Sequence, residues 1–309
     1  MAGTQSPARA SAGAAMTDAR ELTLTLGGRW QRRYGTAPCP VCQPERAKGQ
    51  NALTLAEGRD GRLLLDCKKS ACDFRDILAA AGIRPGNHAP PDPERAARRT
   101  AEAEADARKR VGQARLLWQE ARPIAGTAAE TYLRGRGISC DLPRTLRFHP
   151  ETWHGPTARR WPAMVAAVQG AGAPAVHRTF LRPDGSGKAG LEGGDKLMLG
   201  SVAGGAVRLA EGPGRLVVAE GIETALSLAC GLLEEPATIW AALSAAGMAG
   251  LRLPETPSRL TIAPDGDAAG QGAALALAER AAQAGWAVSI LTAPAGGDFN
   301  DLLRAGVAA

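Results

Sequence analysis

The chain has 309 residues, 45% of them apolar and only 4% aromatic, with a formal net charge of +6. At roughly 100–200 residues per domain this predicts two or three units, whose cores Leu, Val, Ile and Ala must fill. The longest apolar runs are far short of the ~18 residues a membrane helix needs, and the first 20 residues lack the apolar stretch of a secretory signal, so a cytoplasmic protein without a membrane span is expected.

The charge is unevenly placed. From Arg215 onward the chain carries five Arg and no Lys against ten Asp and Glu, a net of −5, which leaves +11 on the rest. A basic N-terminal part suits a polyanionic partner, because each neutralised phosphate releases counterions. An acidic C-terminal part suits divalent cations.

Taken in chain order, residues 1–17 are rich in Ala, Ser and Gly and are expected to be disordered. Residues 18–28 read as a short helix ending at Gly27-Gly28. "NALTLAEGRDGRLLLDC" reads as a hairpin, Ala52–Ala56 and Arg62–Asp66 around a turn at Gly58–Gly61. Asp73–Ala81 follows as a helix capped at Gly82. "RPGNHAPPDPE" (Arg84–Glu94) is a linker, and Glu94–Glu120 an Ala/Arg/Glu-rich helix whose charges form a solvated face. Thr127–Arg134 is another helix. From Leu146 to Leu209 the pattern is strand-like, with "AMVAAVQ", "AVHRTFL" and "AVRLA" set between glycine-rich turns. From Arg215 strands ("RLVVAE", "ATIWAAL", "RLTIAPD", "WAVSILTA") alternate with helices, which predicts βαβ units and a mainly parallel sheet.

Four of the six cysteines form two close pairs, Cys39/Cys42 in "CPVC" and Cys67/Cys72 in "CKKSAC". A two-residue knuckle points both thiolates at one ion, and the hairpin returns the second pair to it, giving a tetrahedral four-thiolate site suited to structural Zn²⁺. The bland alternatives, buried apolar cysteines or two disulfides, fit this spacing poorly. Cys140 and Cys230 are unpaired in the sequence and read as core or surface residues.

Three acidic motifs sit at the ends of expected strands: Glu220 after "LVVA", Asp265 and Asp267 in "PDGD", and Asp298 in "GGDFND". In an open parallel sheet the carboxyl ends of the strands line one crevice, so these acids can converge there. Converging carboxylates repel one another unless cations neutralise them, and Mg²⁺ suits a few carboxylates plus a phosphate. Plain helix capping explains one or two of the acids, Asp267 above all, but not all three motifs.

On these residues the chain resembles the bacterial, phage and plasmid primases. "CPVC", a hairpin, "CKKSAC" and "DFRDILAAAGI" resemble their zinc ribbon, and "EGIETA", "PDGDAAG" and "GGDFNDLL" resemble their Toprim domain over nearly all of residues 214–305. "ETYLRGRGI", "AVHRTFLRPDGSGKAG" and "GDKLMLG" resemble the core ahead of Toprim. The resemblance implies an α/β protein: zinc ribbon at 18–84, linker and charged helix at 85–125, a basic mixed α+β region at 126–213 and a Toprim domain at 214–309, its mainly parallel sheet flanked by helices.

By position, it implies that Glu220, Asp265, Asp267 and Asp298 are catalytic and hold Mg²⁺, with Mn²⁺ as a substitute ion. Glu220 is implied as a metal ligand or general acid/base. Asn300 and Thr224 stand where such primases often have acids. Arg134, Arg136, Arg178, Arg182, Lys188 and Lys196 are candidates for gripping phosphates of template and nucleotide. Arg32, Arg33, Arg46, Lys48, Lys68 and Lys69 of the ribbon are further phosphate contacts. His177 reads as structural. The implied activity is synthesis of short RNA primers from nucleoside triphosphates on single-stranded DNA. The alternatives are a Toprim nuclease and a non-catalytic single-strand-binding replication accessory protein. A separate replicative helicase is the partner the resemblance implies, since neither a helicase domain nor a P-loop motif is present in the sequence.

Overall fold

The computed structural model describes residues 18–306 except 32, 48, 59–61, 84–92 and 295. The expected disorder of 1–17, most of the hairpin turn and of the Arg84–Glu94 linker, and the candidate contacts Arg32 and Lys48 lie outside the described residues. The chain forms two compact units that divide between Glu104 and Ala105. No helix among the described residues is long and apolar enough to cross a membrane.

The first unit starts with α1 (Ala19–Thr25), capped by the Asp18 side chain, which accepts from Glu21 N at 2.7 Å. An antiparallel sheet follows in the order β1 (Arg29–Trp30), β2 (Tyr34–Ala37), β3 (Leu53–Glu57), β4 (Leu63–Cys67). The hairpin β3–β4 is the one its alternating sequence predicts. The sequence pattern does not announce β1, which has two residues, or β2 ("YGTA"). Gly35 in β2 is required by packing, because a Cβ there would meet Thr23 Oγ1 at 2.0 Å. α2 (Phe74–Ala80) is capped by Asp73, which accepts from Arg75 N. Leu22, Leu26, Leu53, Leu55 and Ile77 make a small core around Cys39 and Cys67.

α3 (Pro93–Glu120) runs across the boundary between the units. The second unit then holds two five-stranded sheets. The first is antiparallel, in the order β5 (Arg122–Pro123), β6 (Leu146–His154), β7 (Arg159–Val168), β8 (Ala175–Phe180), β9 (Lys196–Leu199), with α4 (Ala128–Gly135) between β5 and β6. Strand parity sorts its faces. Val165 and Val176 pack against Ala114 and Ala121 at the α3 end, while Met164 and Ala166 join a core shared with the second sheet. His177 pairs with Met198 and Thr179 with Lys196, so these four share the second face.

The second sheet comprises β10 (Val207–Ala210), β11 (Leu216–Ala219), β12 (Thr238–Ala241), β13 (Arg259–Ala263) and β14 (Ala287–Ile290), in the order β10-β12-β11-β13-β14. All its neighbours are parallel except β10 with β12. The strand-like "AVRLA" segment, expected with the basic middle region, is thus the antiparallel edge of the C-terminal sheet. α5 (Ile222–Ser227), α6 (Ala245–Ala249), α7 (Ala268–Gln283) and α8 (Phe299–Ala305) complete the alternation. Ala273, Ala274, Leu277 and Ala281 of α7 lie on Leu216, Val218, Leu260 and Ile262. A fully buried leucine such as Leu277 contributes about 1.5–3 kcal/mol.

After α5 the helix passes into a π-turn over Leu228–Leu232, with Gly231 at φ 107°. This irregular turn brings Cys230 to Cys140, with Cα atoms 5.2 Å apart, and the two form a disulfide. Their sequence reading as unpaired residues is therefore corrected: the partners lie 90 positions apart and only the fold joins them.

Candidate active site

The four cysteines of the first unit gather as their spacing predicts. Their sulfurs all lie within 4.8 Å of one another, with Cys42 Sγ 3.5 Å from Cys67 Sγ. Burial raises the Cys39 thiol, with the N–H groups of Cys42 and Val41 acting against that rise. For Cys67 burial again acts upward, but the N–H groups of Cys72, Ser70 and Lys69 aimed at its sulfur prevail and bring it to about 6. Such N–H donors stabilise thiolate and tune a ligand. Four crowded sulfurs with amide donors behind two of them fit a soft divalent ion, and the cluster can hold zinc. Gln43 completes the knuckle: its buried Oε1 accepts from Cys39 N at 3.2 Å and Ala52 N at 3.0 Å.

In the second unit β11 and β13 are parallel neighbours in which Ala219 faces Ala263. Glu220 is the next residue after β11, and Asp265 is two beyond β13, so both leave the sheet at the same edge. Burial, then the Asp265 and Asp267 charges, push Glu220 above the usual carboxylate range. Burial raises Asp265 as well, with Asp298 and Asp267 adding to the rise. Glu220 Oε2 is buried and has no hydrogen-bond partner. It lies beside Gly270 in the first turn of α7, where a Cβ would meet it at 3.0 Å and Asp265 O at 2.8 Å. Leu243, whose N–H donates to Glu220 O at 2.7 Å, has φ 73°, a left-handed conformation stored at the rim.

Asp267 and Asp298 also cap helices. Asp267 accepts from Gly270 N at 2.7 Å. Asp298 Oδ1 accepts from Asn300 N and Asp301 N at 2.8 and 3.0 Å, while Oδ2 lies 4.0 Å from Arg136. Capping and a site at the strand ends coexist, since one carboxylate oxygen of each serves its cap. Among the described residues the four cysteines are the one group of three or more His, Cys, Asp or Glu close enough to hold a metal ion, and the rim acids do not gather into such a group. An orphaned carboxylate oxygen facing other hard oxygens fits an ion such as Mg²⁺, which keeps several of its waters.

The basic candidates divide. Arg134 is used inside its own loop, donating to Ile138 O and Cys140 O at 2.9 and 2.8 Å and to Glu130 at 3.1 Å. Arg178 is buried in β8 and donates to Trp153 O and Met198 O. The Arg178 guanidinium is thus spent on backbone carbonyls, while Arg134 keeps an exposed side chain. Arg182 is exposed beyond β8. Lys188 and Lys196 meet on Glu223, at 3.5 and 3.2 Å, and Arg136 stands near Asp298.

Three side chains matter more than sequence reasoning assigns them. Glu223 is buried and also accepts from the Tyr132 hydroxyl at 2.8 Å. Burial alone would raise its pKa, yet the Lys196 and Lys188 charges hold it well below the usual carboxylate range. Thr224 donates to Asp265 Oδ1 at 3.2 Å. Asn300 is fully buried and donates to Arg136 O at 2.9 Å and Ser227 Oγ at 2.8 Å, joining α8 to α5. Its place opposite an acid of the primase motif is thus a bridge between elements. The charge and polarity of "GIET" and "DFND" were the only signals available for these roles.

Residues 215–309 match a family model described as "Toprim domain", and residues 108–209 match one described as "Domain of unknown function (DUF7146)". The C-terminal part of the chain is a Toprim domain. No curated protein matches the sequence. Similar solved structures include the zinc-binding and RNA polymerase domains of the Aquifex aeolicus primase, at 12% identity over 90% of this chain and 77% of that one, TM-score 0.38. The primase fragment of the bacteriophage T7 primase-helicase protein is similar at 12% identity over 88% and 94%, TM-score 0.34. The RNA polymerase domain of the Mycobacterium tuberculosis primase is similar at 16% identity over 65% and 82%, TM-score 0.35. The Toprim domain is the part of the primase-type resemblance that the family match establishes.

Proposed function

We propose that the chain is a primase-like nucleotidyltransferase that extends short RNA primers on single-stranded DNA. The observation that carries the reading is that Glu220 and Asp265 closely follow the adjacent parallel strands β11 and β13, with Glu220 Oε2 buried and unpartnered. Glu220, Asp265 and Asp267, with Asp298 beside them, would hold Mg²⁺ or Mn²⁺. The ion, when bound, supplies charge neutralisation at the transferring phosphate and aligns attacking and leaving oxygens.

The chain's own groups do the rest. Thr224 donates a hydrogen bond to Asp265 Oδ1 and orients it. Lys188 and Lys196 present positive charge to the triphosphate, and Arg182 to the template. In that reaction the primer 3′-hydroxyl oxygen attacks the α-phosphorus, pyrophosphate departs and the hydroxyl proton passes to water, with Glu220 kept to its role as a ligand. The cysteine site would hold structural Zn²⁺ and shape a basic module for the template.

The test is to incubate the protein with single-stranded DNA, Mg²⁺ and labelled nucleoside triphosphates, beside D265A. Metal-dependent oligomers that vanish with D265A support priming. Shortened DNA would replace the reading by a nuclease, and DNA binding without product by an accessory protein.

A further inference from the structure

Glu223 and Thr224 are consecutive on α5; Glu223 pairs with two ammonium groups and the Thr224 hydroxyl bonds a carboxylate. Glu223, 3% exposed, takes Lys196 Nζ on Oε2 at 3.2 Å and Lys188 Nζ on Oε1 at 3.5 Å, and the Tyr132 hydroxyl donates to it at 2.8 Å. Thr224 donates to Asp265. The lysine side chains remain about two fifths exposed, at 40% and 36%. A buried carboxylate is costly unless paired, and this one gathers two ammonium groups where one would neutralise it. Behind them, His177 Nδ1 and Thr179 Oγ1 are buried without hydrogen-bond partners on the face of the antiparallel sheet that carries Lys196.

An ammonium group beside several carboxylates competes with a divalent cation, because it neutralises the same charge. The Lys196 charge reaches Asp265, while the ammonium itself is bonded to Glu223 Oε2 at 3.2 Å. We propose that Glu223 is a positioning residue: it ties Lys196 and Lys188 back from the acidic rim, so that the rim stays open to a divalent cation and the ammonium groups face the phosphates that accompany it. This rests on the metal-dependent reading above. Tyr132, reaching Glu223 from α4 across 91 positions, fixes the carboxylate that does the tying.

The test is Mn²⁺ affinity of the full chain, read by electron paramagnetic resonance without nucleotide or DNA. E223Q frees Lys196 to pair with Asp265, and the Mn²⁺ Kd is expected to rise about tenfold or more. E223Q/K188M/K196M, which removes both freed lysines, should return it to the wild-type value, a rescue that mere damage to packing would not give. K196M alone, which leaves Glu223 paired to Lys188 and serves even where E223Q does not fold, should stay within about threefold of wild type. An E223Q protein with wild-type affinity, a triple variant no better than E223Q, or a tenfold gain in K196M alone would each overturn the proposal. A wild-type chain that binds no Mn²⁺, indistinguishable from D265A, would instead defeat the metal site itself.

Discussion

The Thr224 hydroxyl donates to Asp265 Oδ1 at 3.2 Å, so a position where the primase resemblance has an acid is filled by a group that orients one. One carboxylate fewer lowers the repulsion at the rim. T224V should weaken Mn²⁺ binding about fivefold, the equivalent of one lost hydrogen bond, while T224S restores it. Equal affinity in T224V would show that Asp265 needs no such support.

The four cysteines predict one tightly held Zn²⁺ per chain. Binding of such an ion is folding free energy, about 10–16 kcal/mol in small zinc modules at neutral pH. A strong chelator, or C67S, should render residues 18–83 sensitive to protease while the second unit keeps its melting transition. Metal analysis and limited proteolysis read both outcomes.

His177 provides a pH signature. Burial, then the Lys196 charge, lowers it to about 4 from an ordinary 6.5. Between these values the unfolded chain binds a proton that the folded chain refuses, so stability falls as pH drops from 6.5 toward 4 and levels off below. The loss is on the order of 3 kcal/mol. Urea denaturation of wild type and H177Q at several pH values isolates this contribution from the rim carboxylates, whose raised pKa values act in the opposite sense. A constant difference between the two curves would rule the effect out.

Asn300 joins α8 to α5 and to the Arg136 backbone through one amide group. N300A removes both bonds and leaves buried acceptors, so a loss of about 1–3 kcal/mol is expected. N300D, which matches the acid of the primase motif, buries a charge instead. It should be at least as destabilising, and a stability equal to wild type would contradict the placement.

What could be read in advance was local. The spacing in "CPVC" and "CKKSAC", the alternation of strands and helices after Arg215, and acids directly following strands are patterns within a few residues of one another. The helix that begins after Thr127 and the hairpin that ends at Cys67 are of the same kind. The rest depended on long-range contacts. Gln43 clamps a knuckle through Ala52, nine residues away, and Glu223 meets Tyr132 across 91 positions and Lys196 across 27. β10 shows an ordinary strand pattern, and only its pairing with β12 assigns it to a sheet. Arg134 and Arg178 look like any other arginines until the carbonyl groups around them are in place.

The Cys140–Cys230 link bears on how the second unit can be dissected. It fastens the loop after α4 to the turn after α5, enclosing much of the antiparallel sheet and the start of the parallel one in a single covalent ring. A protease nick anywhere inside that ring would leave two fragments migrating together until a reductant is added. A truncation starting at residue 214 would strand Cys230 without its mate and take Tyr132 and both lysines from Glu223. Recombinant pieces of this unit are therefore poor proxies for the whole.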